Sequence, residues 1–103
     1  MNLERRLYEI ACTFPTMMYK GVENGDIPGI EPDGFCAEKL NGFLHDGGGV
    51  WSSGEILVLE CLLNLYSPGT YSFNPGKAIR VWDSVHMHAC LKAMAQIYNG
   101  EKP

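Results

Sequence analysis

The chain has 103 residues, enough for one domain with a thin stability margin, and 46% of them are hydrophobic, which excludes a disordered segment. Its formal charge of −4 argues against a nucleic-acid backbone as the main ligand, because that ligand selects a basic face. No apolar run reaches the ~18 residues that span a bilayer, and the opening Met-Asn-Leu-Glu-Arg-Arg lacks the apolar core and cleavage site of a secretory signal, so a cytoplasmic location is expected.

The first helix is predicted over residues 3–14. Asn2 caps it, Glu4 suits its first turn, and Leu3, Leu7, Ile10, Ala11 and Phe14 share one face at helical spacing. Pro15 ends it, with one further turn expected over Thr16 to Lys20. Residues 21–34 are punctuated by Gly and Pro too often for a regular element, which predicts a long loop. Asp33 caps a second helix through about His45, carrying Phe35, Cys36, Leu40, Phe43 and Leu44. Gly47-Gly-Gly49 stops that helix, and with no Lys-Ser/Thr after it the triplet is not a phosphate-binding loop.

The start of the central helix is written out in full. Ser52 precedes Glu55 by three residues, the spacing of a capping box, and Trp51 and Ile56 stand at the positions of a hydrophobic staple. From there to Tyr66 the helix carries Ile56, Leu57, Val58, Leu59, Cys61, Leu62, Leu63 and Leu65. A helix apolar all round must be wrapped by its own protein or by a partner. Glu60 interrupts the run; with Asn64 four residues on, it marks the one wet line of the helix. Ser67-Pro-Gly69 terminates it, and Thr70 to Phe73 form a short extended connector.

Asn74 then caps a helix with Pro75 at its first position, and Ala78, Ile79 and Trp82 supply its apolar side. Asp83-Ser84 caps a final helix. Its predicted apolar stripe is Met87, Leu91, Met94 and Tyr98, with Asn99-Gly100 as the stop. These elements predict a single all-α domain over residues 1–103, a compact bundle of about five helices around an apolar central one.

Chemistry-bearing residues are few. Cys12, Cys36, Cys61 and Cys90 are far apart, with no CxxC pair, and read as reduced and mostly structural. His86 and Cys90 lie four apart on the final helix and face the same way. Two ligands fall short of the three or four that zinc needs, and a thiol nucleophile inside a regular core helix is poorly placed, so no metal, cofactor or catalytic residue is expected.

The charge distribution is more informative. Residues 21–46 carry Glu23, Asp26, Glu31, Asp33, Glu38 and Asp46 against Lys39 alone, whereas residues 67–103 are mildly basic. An acidic side of this kind suits a basic protein partner. Tyr71 and Phe73 on the connector, and Tyr19 beside Met17 and Met18, are the candidate aromatic anchors.

The half from Trp51 to Tyr98 resembles a family of small proteins encoded by phages, plasmids and other mobile elements. The shared features are Ser-Ser-Gly-Glu at Ser52 to Glu55, Leu-Asn-Leu-Tyr at Leu63 to Tyr66, and Phe-Asn-Pro-Gly-Lys-Ala-Ile-Arg-Val-Trp-Asp at Phe73 to Asp83. Some small acidic proteins of these elements resemble anti-CRISPR and other anti-defence inhibitors, which act by binding a host protein. The motifs are helix caps and core positions, so the resemblance implies a fold and a style of action and transfers no site residue.

The sequence therefore leads to a non-catalytic protein-binding module, an anti-CRISPR-like inhibitor that sterically blocks a basic surface of a bacterial defence protein. Its expected contact residues are Glu23, Asp26, Glu31, Asp33, Tyr19, Tyr71 and Phe73, with neither nucleic acid nor membrane as a direct partner. The alternatives are a self-associating homodimer that hides surplus apolar surface, and a small metal-binding protein using His86 and Cys90.

Overall fold

The computed structural model describes residues 3–32, 34–46 and 51–101. The caps expected at Asn2 and Asp33 and the triplet Gly47 to Gly49 lie outside the described residues.

Helix α1 covers Leu3–Ala11 and buries Leu7, Ile10 and Ala11, as its periodicity predicts. It ends three residues early because the chain tightens there: Thr13 N and Oγ1 both donate to the Ile10 carbonyl, at 2.9 and 2.6 Å. Pro15 then begins a helix rather than only ending one. Its missing N–H costs nothing at the first position of α2, Pro15–Tyr19.

Residues 21–32 and 34 are more ordered than the Gly and Pro content of this stretch predicts. They hold a 3-10 turn at Val22–Asn24 and the first strand of a minimal hairpin, β1 (Ile30–Glu31), paired antiparallel with β2 (Gly34–Phe35). Val22, Ile27 and Ile30 are fully buried, so the segment has an apolar underside. Phe35, predicted inside a helix, sits instead in β2, and helix α3 runs Ala37–Asp46. The cause is Gly29. Its φ of 91° reverses the chain so that its carbonyl receives the Cys36 N–H at 2.7 Å, and the Cys36 carbonyl in turn accepts the first helical bond from Leu40 N.

Helix α4, Ser53–Tyr66, starts as predicted. Ser52 Oγ accepts from Glu55 N at 3.2 Å and Glu55 Oε1 accepts from Ser52 N at 2.7 Å, which closes the capping box. Leu57, Val58, Leu59, Cys61, Leu62 and Leu63 are all buried. They point around the whole circumference, and α4 accordingly touches α1, α2, α3 and the two helices that follow, α5 (Pro75–Val81) and α6 (Ser84–Glu101). Glu60 and Asn64 are half-buried, and Asn64 Nδ2 ties the connector down by donating to the Tyr71 carbonyl at 2.8 Å.

The Asn74 cap of α5 and the Asp83 cap of α6 both form, at 3.1 Å to Lys77 N and 2.9 Å to His86 N. Trp82 fills the corner between the two helices, and its Nε1 donates to the Gly54 carbonyl at 2.8 Å. Two faces differ from expectation. Ile79 is 64% exposed while Ala78 is buried, and on α6 the core-facing residues are Cys90 and Ala93. Leu91, Met94 and Tyr98 remain 56%, 36% and 60% exposed, and Met87 is half-buried. Helix α6 also passes through Asn99-Gly100 to Glu101 instead of stopping there. The result is an all-α compact bundle of six helices among the described residues, with a Cα radius of gyration of 12.5 Å. No helix among these residues is long and apolar enough to cross a membrane.

Candidate functional site

The acidic segment becomes an edge of the molecule with a fixed shape. Glu23, Asp26 and Glu31 are exposed, while Val22, Ile27 and Ile30 of the same segment are buried. The backbone is held by Asp26 N on the Gly21 carbonyl at 3.1 Å and by Arg5 Nη1 on the Pro32 carbonyl at 2.9 Å. Tyr19 stands beside this edge with 84% of its surface exposed, and Met18 with 43%. Lys20 joins the edge to the body. Its Nζ lies 5.0 Å from the Trp51 ring centroid, 5.9 Å from that of Tyr19 and 3.7 Å from Glu55 Oε2.

Tyr71 and Phe73 are placed elsewhere. Both are half-buried against the core, Tyr71 held through its carbonyl by Asn64 and Phe73 stacked on Trp82 at 5.7 Å between centroids. Asp33 lies outside the described residues.

His86 and Cys90 share a face of α6 but turn to different partners. Cys90 Sγ is 3.6 Å from Cys61 Sγ on α4, inside the core. The hydrogen bond from this neighbour, and burial, push the Cys61 thiol far up, so it stays protonated. His86 faces a different set. Its Nδ1 lies 2.8 Å from Asp83 Oδ1, and its Nε2 lies 2.8 Å from Thr16 Oγ1 of α2, 70 residues away in sequence. The ring sits about 6.1 Å from those of Phe14 and Trp82, which fix its plane. Among the described residues no group of three or more His, Cys, Asp or Glu could hold a metal ion.

The order of these bonds sets the tautomer. Asp83 accepts the His86 backbone N–H and also the ring, and these two bonds hold its carboxyl below the usual range. An ionised carboxylate only accepts, so Nδ1 carries a ring proton, and in the neutral ring Nε2 then presents a lone pair to the Thr16 hydroxyl. The cluster opens into a groove of about 360 Å³ lined by Thr16, Ser52, Gly54, Val81, Trp82 and His86, among others. Helical spacing singles out His86 but pairs it with Cys90. The Asp83-x-x-His86 spacing at a helix cap was the one local signal, and no sequence pattern pointed to Thr16.

Compared with known proteins, the chain matches no family model, no curated protein and no solved structure.

Proposed function

We propose that the protein is a docking module whose acidic edge seats on a basic surface of a partner protein and blocks it sterically, with no chemical step at that edge. The observation that carries this reading is the pairing of exposed Glu23, Asp26 and Glu31 with buried Val22, Ile27 and Ile30. Charges presented on a packed base lose little conformational entropy on binding, which favours affinity. The largely exposed Tyr19 supplies an aromatic anchor at the same edge. The resemblance of the C-terminal half to mobile-element proteins makes a bacterial defence protein the proposed partner class and the cytoplasm the proposed location.

The test is affinity capture from bacterial lysate with mass-spectrometric identification, comparing the native chain with a triple variant, Glu23→Lys, Asp26→Lys and Glu31→Lys, and with Tyr19→Ala. A stoichiometric partner, lost in both variants and weakened by salt, supports the reading. Capture indifferent to charge reversal removes it.

Self-association is the second reading, and α6 favours it. Leu91, Met94 and Tyr98 follow one another at i, i+3 and i+7 and stay exposed, so one stripe of the longest helix is available to a second copy. The central helix offers no such surplus, since its neighbours cover it. Sedimentation at rising concentration decides: a Leu91-dependent dimer supports the reading, and a monomer throughout excludes it.

A further inference from the structure

We propose that Thr16, His86 and Asp83 form an acyl-transfer site, in which the Thr16 hydroxyl attacks short-chain carboxylic esters bound in the groove at the start of α4. The site shares no residue with the acidic edge, so its failure would leave the docking reading standing.

A nucleophile needs a base within hydrogen-bond reach, and Thr16 Oγ1 is 2.8 Å from His86 Nε2. The base needs a third group that fixes its tautomer and steadies the imidazolium it becomes, and Asp83 Oδ1 is 2.8 Å from His86 Nδ1. The developing oxyanion needs donors. The groove wall includes the first turn of α4, and there the Ser53 and Gly54 N–H groups, which precede the first helical hydrogen bonds and are not used by the capping box, are the donors assigned to it. Val81 and Trp82 form the apolar wall, and the Glu55 carboxylate facing the groove is offset by Lys20 at 3.7 Å. A volume of about 360 Å³ suits a short acyl chain and a small leaving alcohol.

The reaction balances with water alone. Thr16 Oγ1 bonds to the acyl carbon as its proton passes to His86 Nε2. The carbon–oxygen bond to the alcohol breaks, and the alcohol leaves with that proton. Water then attacks the acyl-Thr16 ester and gives a proton to His86 Nε2. The acid departs as the Thr16 oxygen recovers the proton from His86. Asp83 stays ionised throughout and is a positioning residue; Thr16 and His86 are the catalytic residues.

The experiment uses the full chain and a fluorophosphonate, which phosphonylates activated hydroxyls with loss of fluoride, followed by peptide mapping. The expected result is stoichiometric labelling of Thr16, absent in Thr16→Val and faster in Thr16→Ser, whose primary hydroxyl is less hindered. His86→Gln lowers the labelling rate by about a hundredfold or more, the usual worth of a positioned base. Asp83→Asn keeps a good helix cap, so its melting temperature falls only by what the lost carboxylate contributes, while labelling falls by a similar factor. A purely structural hydrogen-bond tie predicts no such split. Hydrolysis of p-nitrophenyl butyrate, with a burst that disappears in Thr16→Val, gives the matching turnover signal. No label on Thr16 of the native chain, or labelling indifferent to His86→Gln, overturns the proposal.

Discussion

Replacing Gly29 with alanine should destabilise this protein far more than the addition of one methyl group suggests. Gly29 has a φ of 91°, a region that costs an L-residue about 1–2 kcal/mol. The new Cβ would also stand 2.6 Å from the Cys36 carbonyl oxygen and 2.7 Å from Leu40 N. Both are backbone atoms at the start of α3 and cannot rotate away, so overlap of this kind adds about 1–3 kcal/mol. The sum of about 2–5 kcal/mol is a large share of the 5–15 kcal/mol that holds a domain of this size together. Gly25 supplies the control, with a similar φ of 76° and nothing within 4 Å of its added Cβ, so Gly25→Ala should cost only the conformational part, about 1–2 kcal/mol. Urea unfolding followed by the fluorescence of Trp51 and Trp82 measures both through the midpoint at constant slope. Equal midpoints for the two variants would show that the close approach at Gly29 is not what holds β1, β2 and α3 together.

Three further outcomes test other parts of the account. Ser52→Ala removes the capping-box acceptor 3.2 Å from Glu55 N and should cost about 1 kcal/mol, seen as a drop of several degrees in Tm, whereas Ser52→Gly should cost only a few tenths. The hydrogen bond between the two thiols holds Cys61 high and Cys90 low in the folded chain, so the contribution lost as pH rises above the ordinary thiol range is that of Cys61. Stability should therefore fall on the alkaline side, and less steeply in Cys61→Ala. Asp83 is shifted the other way, so its contribution is present above the usual carboxylate range and is lost as pH falls through its lowered value. Acid unfolding of Asp83→Asn should be correspondingly less pH-dependent.

The features legible in the sequence are those made by bonds three or four residues long. The Ser52–Glu55 box, the Asn74-Pro75 start and the Asp83 cap all form, because each needs only its own chain segment in the right local geometry. The central position of α4 was also legible, since a helix apolar on every side has to be enclosed. The tertiary structure decided which of two adjacent stripes of α6 faces inward. It chose the stripe of Cys90 and Ala93, whose small side chains let α6 lie close to α4, with Met87 and Ile97 half-buried beside them, and left Leu91, Met94 and Tyr98 outside. Side-chain size carries hydrophobic signal in a sequence, but close approach between helices rewards the small residues, so pattern and packing point to different faces. The same holds for chemistry. A capping motif announced Asp83 and His86, yet the third member, Thr16, reaches them only because α2 and α6 meet across the fold, and no spacing along the chain encodes that meeting.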